Sequence, residues 1–60
     1  MTPEIQMQAL TKTIILGVKA ESYSQMLELV RLAETLCFGL TSSQMEASRL
    51  NAELELDNQQ

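Results

Sequence analysis

The residues of this chain that could carry chemistry are few and scattered. Its 60 residues include no histidine and a single cysteine, Cys37, so no Ser–His or Cys–His pair can be assembled within one chain. Cys37 falls on an apolar helical row with Ala33 and Leu40, where a thiol usually behaves as a small buried hydrophobe, and no positive charge is near enough in sequence to activate it. Lys12 and Lys19 stand a heptad apart on a mostly polar helical face and read as ordinary solvated charges. Glu53, Glu55 and Asp57 invite a cation. On a helix, however, only Glu53 and Asp57 share a face, and a hard cation needs more oxygen ligands than that pair supplies. Gly17 and Gly39 are isolated, so no phosphate-cradling loop is present. The expectation is a protein that is not an enzyme, with no catalytic, cofactor or metal site.

One stretch has a pattern with a possible ligand. From Arg31 to Leu50 the chain resembles a DNA-reading helix-turn-helix, with Phe38, Gly39, Leu40 and Met45 at the positions that pack around the turn. A groove-entering helix would then present Gln44, Ser48, Arg49 and Asn51 to base edges. The resemblance departs where a small residue is usual, at Thr35, and where an apolar one is usual, at Ser48. Charge opposes it more strongly. The same helix carries Glu46, Glu53 and Glu55 against one arginine, and phosphate contacts supply most non-specific affinity for DNA. Nucleic acid is therefore the less favoured partner. The plainer reading of these polar residues is a solvated helix face.

The elements that would position any site are helical. Leucine, alanine, methionine, glutamate and glutamine dominate, and only Tyr23 and Phe38 are aromatic. Thr2 as N-cap, Pro3 at the first helical position and Glu4 in the first turn predict a helix over about 3–18. Met7, Leu10, Ile14 and Val18 make its apolar row. Gly17 on that row either weakens the helix or permits a close approach. The row fails over 19–25, where Ser22 and Gln25 match a capping box, so a break is favoured over one continuous bent helix. A second helix follows over about 23–38. Its row is Met26, Leu29, Val30, Ala33, Leu36, Cys37 and Leu40, and Arg31 is spaced to pair with Glu28 and Glu34. Gly39 as helix stop, Thr41 with Gln44 as capping box, and Leu40 with Met45 as hydrophobic staple predict a tight junction into a third helix over about 42–56. That helix has a weaker apolar row of Met45, Ala47, Leu50, Ala52, Leu54 and Leu56, and residues 57–60 read as a frayed tail.

Size then dictates company. A chain of 60 residues makes one small domain and leaves too much surface unburied to be comfortable alone. Small domains gain stability from disulfides, metals or self-association, and the first two are unsupported here. The expected architecture is therefore an all-α fold of two or three short helices, a helical hairpin centred on the second helix, packing as a homo-oligomeric, dimeric bundle. Met7, Leu10, Ile14, Val18, Met26, Leu29, Val30, Ala33, Leu36, Cys37, Leu40 and Met45 would form the oligomer or partner interface.

The net charge of -4 disfavours adhesion to anionic membranes and to phosphate. The longest apolar run, Ile14 to Val18, is far short of a membrane span. The acidic N-terminal stretch argues against a secretory signal, and the unpaired thiol fits a reducing, cytoplasmic setting. The functional expectation is an acidic helical interaction module (an adaptor, chaperone or inhibitor) that self-associates and binds another protein. The alternative is a dimeric helix-turn-helix regulator using the turn at Gly39.

Overall fold

Each helix begins where a hydroxyl side chain can satisfy free backbone amides. In the computed structural model, which describes residues 2–58, Thr2 Oγ1 accepts from the amide of Ile5 at 3.3 Å and opens α1, Pro3–Val18. Ser22 Oγ accepts from Gln25 N–H, while Gln25 Oε1 accepts from the amide of Glu21, and α2 runs Tyr23–Leu36. The chain therefore breaks between α1 and α2 and does not form one bent helix. Thr41 and Gln44 make the full reciprocal box, Gln44 N–H to Thr41 Oγ1 at 3.1 Å and Thr41 N–H to Gln44 Oε1 at 2.9 Å. From this cap α3 extends over Ser42–Asn58.

Two boundaries differ from expectation. α2 stops at Leu36, ahead of residue 38, because Cys37 to Leu40 form a separate turn closed by Leu40 N–H to the Cys37 carbonyl at 3.0 Å. Gly39 is the third residue of that turn, with φ +85°, a backbone region that side-chain-bearing residues avoid. It thus shapes the turn after the helix instead of ending the helix itself. At the other end, Asp57 and Asn58 are helical where a frayed tail was expected; the rest of that tail, residues 59–60, lies outside the described residues.

The described residues form three helices and no strand, so the fold is all-α. Its centre, however, is α1 and not α2. α1 packs against both other helices, whereas no Cα of α2 lies within 8 Å of a Cα of α3. Consecutive helical residues diverge by about 100°, so neighbouring positions on one helix can serve two partners. Leu10 clusters with Leu36 and Leu40, while Thr11 beside it bonds the carbonyl of Ser48 on α3 at 3.2 Å. Counting apolar side chains alone favours α2. The threonines of α1 reverse that ranking, because Thr11 and Thr13 are buried with their hydroxyls satisfied, Thr13 by the carbonyl of Ala9 at 2.7 Å.

The core is small: Leu10, Leu36 and Leu40, with Met7, Ala9, Ile14, Ala33, Cys37 and Met45 packed against it. Leu40 and Met45 meet this cluster together, as the staple requires. The α1–α3 contact is made of small and polar groups. Ser48 and Ala52 are both 0% exposed, and Ser48 Oγ lies 3.3 Å from the Met7 carbonyl and 3.1 Å from that of Gln44. The row of α3 that faces inward is therefore Met45, Ser48 and Ala52, while Leu50 and Leu54 of the expected row stay exposed. A Cβ added at Gly17 would meet nothing within 4 Å, so this glycine permits no close approach.

The whole spans 29 × 26 × 17 Å, and its thinnest dimension is less than two helix diameters of about 10 Å. With a single helix between two others, each outer helix keeps a side that no second layer covers.

Candidate functional site

Of the residues expected at an interface, most are spent within the chain. Leu10, Leu36 and Leu40 are buried in its own core, and Met7, Ile14, Ala33, Cys37 and Met45 pack against them. Leu29 is half-buried, while Val18, Met26 and Val30 are exposed.

The division runs along α2 itself. Met26, Val30, Ala33 and Cys37 form one row at helical spacing. At its C-terminal end the row lies against the core; at its N-terminal end it emerges into solvent. The cause is the course of α3, which begins beside Leu40 and follows α1, leaving the first two turns of α2 uncovered. Tyr23 and Leu27 stand beside Met26 and Val30, at the i, i+3, i+4, i+7 spacing of a continuous helical stripe. Tyr23 is 71% exposed and Val30 46%. Phe38, at the turn beyond the other end of α2, is 88% exposed, whereas the helix-turn-helix pattern needs it packed. Met26 and Leu27 are 38% and 39% exposed, so the chain covers part of this row and leaves the rest open to water.

The base-reading candidates are placed differently from one another. Ser48 is enclosed between α1 and α3, and the side-chain oxygen of Gln44 serves the cap of α3. Arg49 is bonded to Glu46 and Glu53 on its own helix, its Nε donating to Glu46 Oε2 at 3.2 Å. That hydrogen bond from Arg49 holds the Glu46 carboxyl below its usual value, and the same bond raises the proton affinity of the guanidinium. Asn51 stays exposed. The ion pairs expected of Arg31 with Glu28 and Glu34 do not form among the described residues.

Two open grooves flank α1. One, of about 630 Å³, lies between α1 and α3 and is lined by Met7, Thr11, Lys12, Asn51, Leu54 and others; its walls mix charges of both signs. The second, about 640 Å³, lies where Leu16 of α1 meets Leu29 and Leu32 of α2. Among the described residues no group of three or more Cys, Asp or Glu side chains is gathered to hold a metal ion, and no helix is long and apolar enough to cross a membrane.

One contact without a signal in the sequence ties the C-terminal end of α2 to α1. Gln6 of α1 donates from Nε2 to the carbonyls of Leu36, at 2.8 Å, and Phe38, at 2.6 Å. It thereby satisfies the loose end of α2 and fastens that helix antiparallel to α1. Nothing in the sequence distinguishes Gln6 from Gln8, which is exposed. No family model, curated protein or solved structure matches the chain.

Proposed function

We propose that this protein is a non-enzymatic helical interaction module that self-associates and binds another protein as adaptor, chaperone or inhibitor. The observation that supports this reading is the uncovered stripe of Tyr23, Met26, Leu27 and Val30 on a helix whose other end is part of the core. Fully burying a large aliphatic side chain stabilises by roughly 1.5–3 kcal/mol, and a partner over this row would gain the part that the half-exposed Met26, Leu27 and Val30 still leave in water. The acidic character of the chain directs such a partner towards neutral or basic protein surfaces and away from phosphate.

Two experiments test it. Light scattering of the purified protein measures self-association, and a monomer across the micromolar range counts against that half of the reading. Affinity capture from the native host, followed by mass spectrometry, addresses the second half; recovery of no protein above background counts against it.

The DNA-regulator alternative has weaker support. Ser48 is enclosed, Gln44 caps its own helix, and Arg49 is engaged by two carboxylates. A helix-turn-helix also packs its two helices together, and α2 and α3 are separate. Duplex binding at about 50 mM salt, lost on Arg49→Ala, would favour that alternative over the one proposed.

A further inference from the structure

The molecule exposes more surface than a chain of its mass should. Its accessible surface is 4541 Å², whereas a compact monomer of 6.7 kDa exposes about 3,900 Å². The excess, about 600 Å², approaches the roughly 800 Å² that each partner commits to a stable interface. Much of the apolar surface available to fill it is on α2.

We infer that the stripe of Tyr23, Met26, Leu27 and Val30 is the contact face of a homodimer, in which α2 of one copy lies antiparallel on α2 of a second copy across a two-fold axis. This rests on the self-association proposed above and adds to it the face, the partner and the orientation. Three observations select a second copy in that orientation.

The first is the area, since one self-complementary face removes the same excess from both copies. The second is charge. Glu34 lies in line with Tyr23, Leu27 and Val30 at helical spacing and is exposed. A parallel pair would set Glu34 against its own copy, two like charges in contact. An antiparallel pair centred between Leu27 and Val30 sets Glu34 against Tyr23, whose phenol O–H can donate to the carboxylate, and sets Leu27 against Val30. The third concerns the ends. The same arrangement lays the turn carrying Phe38 beside the other copy's α1–α2 connection, where Val18 is 66% exposed. One operation then brings both outlying apolar positions to the same level of the pair.

Sedimentation equilibrium on the full chain, from about 1 to about 100 μM, tests the inference. The expected result is a dimer whose apparent mass falls about twofold in Val30→Glu and in Leu27→Gln, with helical circular dichroism unchanged, and which persists in Leu54→Gln, at the exposed rim of the α1–α3 groove and away from α2. If Val30→Glu unfolds, Leu27→Gln decides alone, because glutamine is a good helix former at an exposed position. An assembly that survives both α2 substitutions, or that Leu54→Gln abolishes, overturns the α2 face while leaving self-association intact. A wild-type monomer over the whole range overturns both.

Discussion

The side-chain amide of Gln6 is bonded to the main-chain carbonyl of Leu36, 2.8 Å away and 30 positions further along the chain. A helix leaves its last carbonyls without internal partners, and here a side chain from another helix supplies what water or a local cap usually does. Because the amide carries two hydrogens, it serves Phe38 as well. Gln6→Ala should therefore destabilise the fold by about 1–2 kcal/mol, read as a lower urea midpoint at unchanged slope. Gln8→Ala, on the exposed side of the same helix, should stay within about 0.5 kcal/mol. Equal effects at the two positions would show that the clamp contributes nothing.

The two glycines should respond to alanine with opposite signs. At Gly39, φ of +85° makes any side chain strained, although nothing lies within 4 Å of the new Cβ. Gly39→Ala should cost about 1 kcal/mol or more. Gly17 is helical and equally open, so Gly17→Ala should raise stability by roughly 0.5–1 kcal/mol. Thermal melts of the two variants measured side by side check the pair.

Ser48 is fully enclosed where α3 packs on α1. Ser48→Ala keeps the volume and removes a hydroxyl within reach of two carbonyls, a loss of about 1 kcal/mol. Ser48→Leu has to force the helices apart and should cost about 1–3 kcal/mol more than alanine does. Denaturant titrations in which leucine is tolerated as well as alanine would contradict the close approach.

The Glu46–Arg49 pair gives a pH dependence with a definite direction. The Glu46 carboxyl is held below its usual value in the folded chain by the Arg49 hydrogen bond. Its contribution to stability is thus present above the unfolded value, about 4.3, and is lost as pH falls through the lower folded value. The stability difference between wild type and Glu46→Gln should accordingly vanish in acid and be small at neutral pH in high salt, since the pair is exposed. A difference that grows on acidification would reverse the assignment.

What was legible in the sequence was the set of helix ends. Thr2, Ser22 with Gln25, Thr41 with Gln44, and the Leu40–Met45 staple are local signals: each works through residues a turn apart, and each is present in the structure. What could not be read was which helix would lie between the others. That choice depends on Thr11, Thr13 and Ser48, polar residues that become buried only because particular carbonyls stand opposite them. The α3 row failed for the same reason. Hydrophobicity selects Leu50 and Leu54, but close packing on α1 selects Ser48 and Ala52 for their size. The exposed stripe on α2 was only half legible, as a row known to be apolar but not known to leave the core midway.

The separation of α2 from α3 leaves α1 as the main relay between them. Any change of state on one outer helix reaches the other only by way of α1 or the short turn at Gly39, so substitutions on the solvent sides of α2 and α3 should add without interaction energy in a double-mutant cycle. The two outer surfaces are thereby free to vary independently, one remodelled for a new contact while the other is conserved for solubility.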